Sequence, residues 1–427
     1  MKPWDEGTDR FGLRDRYAVR AARLSARYGG RDLRTRFGVL QLTRDSIRLA
    51  EWSQWAKTVP TKRALLSYLP GPVLDSAVGA APVAYSNHGI ARDTVRVLNE
   101  AGYSVDVVKW DDTDSKVYGD YDLWVQHGGA NYAQLKGAGV QAERLVYFST
   151  GNYWRFHNAA ALARETAFQA RNGVLVPAER MIEYAEDAVL SDADAVAALG
   201  NEFTRSYYPA TTNVRLLPNA SYAAQHLDSS VTNSPSRSGS FLFFAGSGSL
   251  HKGLDLVLEA WEGRRENLYV VCQVSPAIAD YYRGLLSRTG SVHLLGFIPV
   301  HSRRFEKLAR SCTFSILPSC SEAQPGSVVE TMARGCLPLV SDACGLDVKG
   351  FGLSVSQPEV GTVSAAVDLA NSWSASELVS RREELGRCVR ERHTPMAFRS
   401  AAREALFGSE DIPQDTSAGG IPTLPHL

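Results

Sequence analysis

The sequence has 427 residues, of which 44% are hydrophobic and 22% charged, with no formal net charge at pH 7. A chain of this length is longer than the chains that usually fold around one hydrophobic core, so two domains are expected. The zero net charge gives no indication of a nucleic-acid partner. No stretch reaches the ~18 apolar residues that span a bilayer, and no signal peptide is recognisable, so we expect a cytoplasmic protein. The six cysteines form no C-x-x-C pair, which favours free thiols.

The N-terminal region, residues 1–75, is predicted to be helical and basic. Residues 1–70 carry 15 Lys and Arg against 7 Asp and Glu. An apolar stripe at helical spacing runs through its second half: Leu42, Leu49, Trp52, Ala56 and Val59. Such a helix could bind an anionic membrane surface through its basic side chains and apolar stripe. Alternatively, the apolar stripe packs on the protein and the charged residues face solvent. The sequence leaves both interpretations open.

Strands and helices then alternate along the first half. The predicted strands are "APVAYS", "YSVDVVKW", "YDLWVQH", "RLVYFST", "DADAVAALG" and "NVRLLPNAS". The predicted helices are "IARDTVRVLNEAG", preceded by a turn at "NHG", and "NEFTRSYY". Short apolar runs separated by helices are typical of parallel βαβ units. The Ser-, Asn- and Pro-rich segment 229–240 is predicted to be a linker.

The alternation restarts after this linker. The predicted strands are "FLFFAG", "LYVVCQV", "SVHLLG" and "TFSILPS", and the predicted helices are "KGLDLVLEAW", "AIADYYRGLLSRTG" and "SRRFEKLARS". The polar tail 409–427 contains repeated Pro and Gly and predicts disorder. We therefore expect two α/β domains, at 76–232 and 240–390.

Ligands of doubly wound sheets bind at the carboxyl ends of the strands, where three loops of the second half should open. In "AGSGSLHKG", Gly248 lets the backbone approach a ligand, and Lys252 at a helix start favours an anionic partner such as a diphosphate. The alternative is an ordinary loop with a solvent-facing lysine. In "GFIPVHS", Gly296 permits a tight turn, and Phe297 and Ile298 are suited to walling a flat ring.

The third loop, "SEAQPGSVVETMARG", places Glu322 and Glu330 eight positions apart around a Pro-Gly-Ser turn. Eight helical residues would separate the carboxylates by ~12 Å. A glycosidase pair lies ~5–9.5 Å apart, which argues against that chemistry. Separate roles fit better: each carboxylate accepts hydrogen bonds from ligand hydroxyls, and the amides of Gly326 and Ser327 hold an anion between them. Alternatively, Ser327 is an N-cap and Glu330 completes its capping box.

With these motifs, the second half resembles the nucleotide-sugar domain of GT-B glycosyltransferases, in particular retaining family four (glycosyl transferases group 1). Its E-x7-E pattern matches Glu322 and Glu330. The first half resembles the family more loosely, and residues 393–407 resemble its last helix, placed here at 391–408 and crossing back to the first domain. The resemblance implies an α/β GT-B fold, with two Rossmann-like parallel-sheet domains facing a central cleft, plus the helical N-terminal extension.

The resemblance also implies roles. Glu322 would contact the donor-sugar hydroxyls, Glu330 the ribose hydroxyls, and Lys252 the departing diphosphate. The remaining donor-binding positions are Gly326, Ser327, Gly248, Gly296, Ile298 and, in the first domain, Gly89. The acceptor side would include His127 or His157, with Asn87 in the loop that closes over the diphosphate. Many family members add an Arg to this Lys, and the "AGSGSLHKG" loop has none, so weaker charge compensation is expected.

The expected function is a retaining hexosyltransferase. It would move a sugar from a nucleoside diphosphate sugar to a glycan or lipid-linked glycan acceptor in polysaccharide or glycoconjugate biosynthesis. No metal or other cofactor is expected. The basic N-terminal region suggests peripheral contact with the inner face of the membrane. Two alternatives stay open: a catalytically silent GT-B protein that binds nucleotide or glycan as a scaffold, and a phosphorylase that uses the same fold.

Overall fold

The computed structural model describes residues 39–42, 46–49, 60–77, 84–114, 117, 119–227 and 239–408. They form two α/β domains, each built on one sheet. The predicted disordered tail 409–427 and all but the last two residues of the predicted linker 229–240 lie outside this described part.

The first domain contains an eight-stranded sheet in the order β1-β2-β4-β3-β5-β6-β7-β8. Its strands are β1 (Val39–Leu42), β2 (Ser46–Leu49), β3 (Lys62–Tyr68), β4 (Tyr103–Lys109), β5 (Gly119–Gln126), β6 (Val140–Ser149), β7 (Ala195–Leu199) and β8 (Val214–Leu217). Its helices are α1 (Pro70–Ala77), α2 (Ser86–Glu100), α3 (Tyr132–Gly137), α4 (Trp154–Asn172), α5 (Asp187–Asp192) and α6 (Glu202–Ser206). The strands from β3 onward run parallel, and β1 and β2 add an antiparallel edge beside β4.

The second domain contains a parallel six-stranded sheet in the order β11-β10-β9-β12-β13-β14. Its strands are β9 (Phe241–Phe244), β10 (Leu268–Val271), β11 (Val292–Leu294), β12 (Phe314–Leu317), β13 (Leu337–Ser341) and β14 (Leu353–Val355). Its helices are α7 (Leu254–Ala260), α8 (Pro276–Tyr281), α9 (Arg283–Arg288), α10 (Arg303–Ser311), α11 (Gly326–Met332), α12 (Val360–Asn371), α13 (Ala375–Arg392) and α14 (Pro395–Phe407). Strands β12 and β13 are buried along their whole length, as expected where helices cover both faces of a parallel sheet.

The prediction of a helical N-terminal region is wrong for most of its described part, which contains β1, β2 and β3; only its last residues, in α1, are helical. Leu42 and Leu49 do not share a helical stripe, because they belong to β1 and β2, which pair with each other. "Ser-Ile-Arg-Leu" in β2 alternates polar and apolar residues with the period of a strand, and β3 follows within the same region. The rest of the predicted stripe, at Trp52, Ala56 and Val59, lies outside the described residues.

Three other local predictions differ from the structure. "NHG" is not a turn, since residues 87–89 lie in the first turn of α2. Of the predicted strand "APVAYS", residues 81–83 lie outside the described part, Ala84 and Tyr85 are not in a strand, and Ser86 begins α2. The predicted single helix "AIADYYRGLLSRTG" is two short helices, α8 and α9, which meet at Tyr282.

The two domains exchange elements. Helix α4 follows β6 of the first sheet, yet its Phe168 and the nearby Val176 lie in the hydrophobic core of the second domain. In the opposite direction, α14 ends the chain of the second domain and inserts Phe398 into the core of the first. Ion pairs fix α14 there, from Arg399 to Asp93 at 3.2 Å and from Arg403 to Glu100 at 3.0 Å.

The carboxyl ends of the two sheets face each other across this interface. Asn152 follows β6, and its side-chain Nδ2 donates to the carbonyl of Ala343 (3.0 Å), which follows β13. Asn219 follows β8, and its Nδ2 donates to the carbonyl of Gln324 (2.7 Å), which follows β12. This arrangement brings the loops after β9 and β12 next to the first domain.

Candidate functional site

The site centres on an ion pair between two loops of the second domain. Lys252 precedes α7, Glu322 follows β12, and the Lys252 Nζ donates to the Glu322 Oε1. Both side chains are largely buried, at 7% and 12% exposure. The loops come this close because residue 253 is glycine: a Cβ there would lie 2.4 Å from the carbonyl oxygen of Pro318. Gly253 also has a φ of +78°, which favours glycine.

Neighbouring groups keep Glu322 ionised despite its burial. Burial alone would raise its pKa, but Lys252, Arg180 and His251 together lower the pKa to about 2. Burial also lowers the pKa of His251 to about 3, so this imidazole is neutral at physiological pH. Near neutral pH Glu322 is therefore a carboxylate that lies beside the neutral ring of His251.

His157 and His251 lie together beside the ion pair, with ring centroids 4.9 Å apart. The His157 Nε2 is 2.7 Å from the carbonyl oxygen of Arg180, and its Nδ1 is 3.2 Å from the Ser321 hydroxyl. Since only a protonated nitrogen donates to a carbonyl, Nε2 carries the proton and Nδ1 accepts from Ser321. Burial lowers the pKa of His157, in agreement with a neutral ring. Both nitrogens are thus occupied by protein contacts, and the predicted acceptor-facing role of His157 stays a prediction.

His127 lies elsewhere, at the carboxyl end of β5. Its Nδ1 is 2.8 Å from the carbonyl oxygen of Phe148, and its ring packs edge-on against Tyr68 and Trp110. Burial lowers its pKa to about 4. His127 therefore belongs to an aromatic cluster of the first domain, at the sheet edge that faces the cleft.

Glu330 pairs with Arg334, two residues beyond the end of its own helix. Its Oε2 accepts from Arg334 at 2.6 Å, and the Arg334 Nε contacts Glu306 at 2.7 Å. The proposed capping box is wrong, because α11 begins at Gly326 with Pro325 as the N-cap residue, and proline offers no side-chain acceptor. Gly326 and Ser327 instead occupy the half-exposed first turn of α11.

The other predicted donor-side residues divide into two groups. Gly248 and Gly296 have φ of +87° and +67°, so both positions use the freedom of glycine. Ile298 is buried in a hydrophobic cluster with Phe305 and does not line the cleft, whereas its neighbour Phe297 is 63% exposed. Of the two residues that were predicted to contact a flat ring, only Phe297 is therefore exposed enough to do so.

Gly89 and Asn87 lie in the first turn of α2. Asn87 is exposed, while Gly89 is buried, and a Cβ on it would lie 2.5 Å from the ring of Tyr85. Residue 89 is therefore glycine because the ring of Tyr85 packs against it and leaves no space for a side chain.

Three site residues were missed by sequence reasoning: Asn152, Glu179 and Arg180. The Asn152 Nδ2 reaches the Ser321 hydroxyl at 3.2 Å. The Glu179 Oε2 accepts from the amides of residues 250 and 251, at 2.6 and 3.2 Å, in the loop that the sequence assigned to a ligand. The Arg180 side chain lies over Gly248. These three residues belong to no local sequence motif. They reach the site because α4 packs against the second domain, a contact that the local sequence does not indicate.

Within the described ranges, no cluster of three or more His, Cys, Asp or Glu residues is arranged to hold a metal ion. In the same part of the chain, no helix combines the length and apolar character needed to cross a membrane.

Known structures share this architecture. The chain resembles sucrose-phosphate synthase from Thermosynechococcus elongatus with 15% identity and a TM-score of 0.55, over 79% of this chain and 96% of that one. It resembles Anabaena HepE in complex with UDP and glucose with 12% identity and a TM-score of 0.51, over 81% of this chain and 99% of that one. No curated protein sequence gives a match. Residues 239–368 match the family model described as glycosyl transferases group 1. The chain is therefore a two-domain GT-B protein whose second domain matches the glycosyl transferases group 1.

Proposed function

We propose that the chain is a retaining hexosyltransferase that moves a sugar from a nucleoside diphosphate sugar to a glycan or lipid-linked glycan acceptor, in polysaccharide or glycoconjugate biosynthesis. The observation that carries this proposal is the buried Lys252–Glu322 pair, which lies where the carboxyl ends of the two sheets face each other. The family match of residues 239–368 and the shared fold support glycosyl transfer as the reaction.

Lys252 is the group proposed to assist bond cleavage. When the glycosyl bond breaks, negative charge grows on the leaving diphosphate, and a pre-positioned ammonium stabilises that charge most effectively where water is excluded. The Lys252 side chain is largely buried, which meets this condition. The proposal assigns charge neutralisation to side chains, so turnover should persist in the presence of EDTA.

Glu322 is proposed to hold the donor sugar. Because its pKa is about 2, Glu322 is an ionised carboxylate that accepts hydrogen bonds but donates none. Sugar hydroxyls can donate the hydrogen bonds that it accepts. We assign no covalent step to it. The acceptor hydroxyl would attack from the face that the diphosphate leaves, and a diphosphate oxygen would take its proton, so the anomeric configuration is retained.

Glu330 and the β11–α10 loop are proposed to hold the nucleoside. Glu330 would accept from the ribose hydroxyls, with Arg334 fixing the orientation of its carboxylate. Gly296, with a φ of +67°, directly precedes the exposed Phe297, a side chain suited to contact with the base.

The test is a thermal-shift panel with UDP, GDP, ADP and their common sugar conjugates. UDP comes first because the HepE structure of similar fold contains it. A ligand at ~100 times its Kd should add about 2.7 kcal/mol to stability. Glu330→Gln keeps the shape of the side chain and should weaken this effect, whereas Glu262→Gln, on the exposed surface, should not. If no nucleotide stabilises the wild type and no sugar is released with donor and acceptor present, the proposal is wrong.

One observation favours the catalytically silent alternative. Glu179 already occupies the amides of residues 250 and 251, which a diphosphate-binding loop would be expected to present. A silent protein would bind nucleotide without releasing sugar from any donor. Measuring nucleotide binding and sugar release on the same preparation separates the two functions.

Membrane contact through the N-terminal region is part of the proposal for a lipid-linked acceptor. A deletion must stop before residue 39, because β1, β2 and β3 belong to the first sheet. Removal of residues 1–38 should abolish binding to anionic liposomes, and unchanged binding would end this part of the proposal.

A further inference from the structure

We propose that Arg180, which comes from the first half of the chain, binds the diphosphate of the donor together with Lys252. This inference rests on the proposed function and adds a second cation to the same site. The "AGSGSLHKG" loop contains no arginine. The structure places the Arg180 side chain against that loop from outside it.

The position of Arg180 is defined by its contact with Gly248. A Cβ added to Gly248 would lie 2.5 Å from the Arg180 Cδ and 3.0 Å from its Cγ, so the arginine stem crosses the space where a side chain would stand. Gly248 is four residues before Lys252, in the same loop. Glycine at 248 is therefore what lets a side chain of the first half lie on the loop that carries Lys252.

The backbone around Arg180 is held on both sides. Arg180 has a φ of +63°, which is uncommon for a residue with a side chain, and the His157 Nε2 binds its carbonyl at 2.7 Å. The preceding residue, Glu179, accepts from the amides of Leu250 and His251. These contacts tie the segment to the loop of the second domain and fix where the Arg180 side chain begins.

The guanidinium is exposed and available. Among the residues that the structure describes, it has no ion-pair or hydrogen-bond partner. Its charge nevertheless acts on the centre, because it contributes to the low pKa of Glu322 and lowers the pKa of His157. Two carboxylates share this region with the two cations. The Lys252 ammonium is bound to Glu322, and the Glu179 carboxylate is bound to the amides of residues 250 and 251. The Arg180 guanidinium, which has no such partner among the described residues, suits an anionic ligand, and its planar fork matches paired phosphate oxygens.

The test compares nucleoside diphosphates with the corresponding monophosphates. Calorimetric titrations use UDP, GDP and ADP, and then UMP, GMP and AMP, with the wild type, Arg180→Met, Arg180→Lys and Lys252→Met. Loss of a charge-assisted contact costs ~1.5–3 kcal/mol, so Arg180→Met should bind the preferred diphosphate about 10- to 100-fold more weakly. Monophosphate affinity should change much less. Arg180→Lys should recover part of the loss, and Arg390→Met, on the exposed face of α13, should lose nothing.

The outcomes separate this inference from the proposed function. If the wild type binds a diphosphate and Lys252→Met weakens it while Arg180→Met does not, the proposed function stands and the inference about Arg180 is wrong. Equal weakening of diphosphate and monophosphate in Arg180→Met also overturns it, because a general distortion would explain that result. If the wild type binds none of the nucleotides, the proposed donor site itself fails. Glu179→Gln tests the positioning argument and should weaken diphosphate binding less than Arg180→Met does.

Discussion

Replacement of Lys252 by methionine should destabilise the protein by an amount set by Glu322. Methionine fills a similar volume but leaves the buried carboxylate without its nearest cation. Each tenfold change in proton affinity corresponds to about 1.4 kcal/mol, so lowering the Glu322 pKa from 4.5 to about 2 corresponds to about 3 kcal/mol at pH 7. Lys252→Met should lose most of this free energy of unfolding.

The pH dependence follows from the direction of the shift. A carboxyl whose pKa is lowered on folding stabilises the native state above its unfolded pKa, and this contribution disappears as the pH falls through the folded pKa. For Glu322 the contribution is complete above about pH 5 and should fall to less than half by about pH 3. The difference between wild type and Lys252→Met should shrink over the same range.

The assay is urea denaturation at pH 7 and pH 3, followed by fluorescence and circular dichroism. Lys136→Met is the matched control, because the Lys136–Asp192 pair is 58% and 39% exposed and should contribute less than about 1 kcal/mol. The double variant Lys252→Met/Glu322→Gln should recover part of the stability, since no buried charge is left unpaired. If Lys252→Met is as stable as the wild type at pH 7, or if the difference does not depend on pH, the assigned role of the pair in stability is refuted.

Three further predictions concern packing and thiols. Gly253→Ala should cost more than about 3 kcal/mol of stability or prevent folding, because its Cβ would collide with the backbone of Pro318, and normal expression with an unchanged melting temperature would contradict this. Arg164→Met should cost about 3 kcal/mol, since it removes one of two cations beside the fully buried Asp255; a loss below 1 kcal/mol in denaturant titrations would mean that Arg171 suffices. At pH 7 the native thiols should react slowly with maleimide, because burial raises the pKa of even the half-exposed Cys320 to about 11, and rapid labelling before denaturation would refute that.

Most of the fold could be predicted because its periodicity is local. Most strands of the parallel sheets coincide with a predicted apolar run, but β3 lies in the region that was predicted to be helical, and the long helix α4 was not predicted. The prediction for the N-terminal region failed because Leu42 and Leu49 are seven positions apart, a spacing that fits one helix as well as two successive short strands. The deciding contact, the pairing of β2 with β4, is between residues far apart in the sequence.

The site could be predicted only in part for the same reason. The loops of Lys252 and Glu322 have recognisable motifs, but their ion pair spans seventy residues and follows from sheet order. The Glu330–Arg334 pair was not predicted, although opposite charges four positions apart are neighbours wherever the chain keeps a helical path. Arg180 could not be predicted, because neither its backbone conformation nor its contact with Gly248 has a signal in "PAER".

The exchange of elements between the domains determines how the protein would behave if it were cut in two. A break at residues 228–238 leaves Phe168 and Val176 on the first fragment and Phe398 on the second, each separated from the core that it fills. Neither fragment could complete its own core, so each alone would expose apolar surface. Together they would restore both cores and the Lys252–Glu322 centre with its first-half neighbours. The chain is thus suited to use as a split protein, in which the Lys252–Glu322 centre is complete only after the two fragments associate.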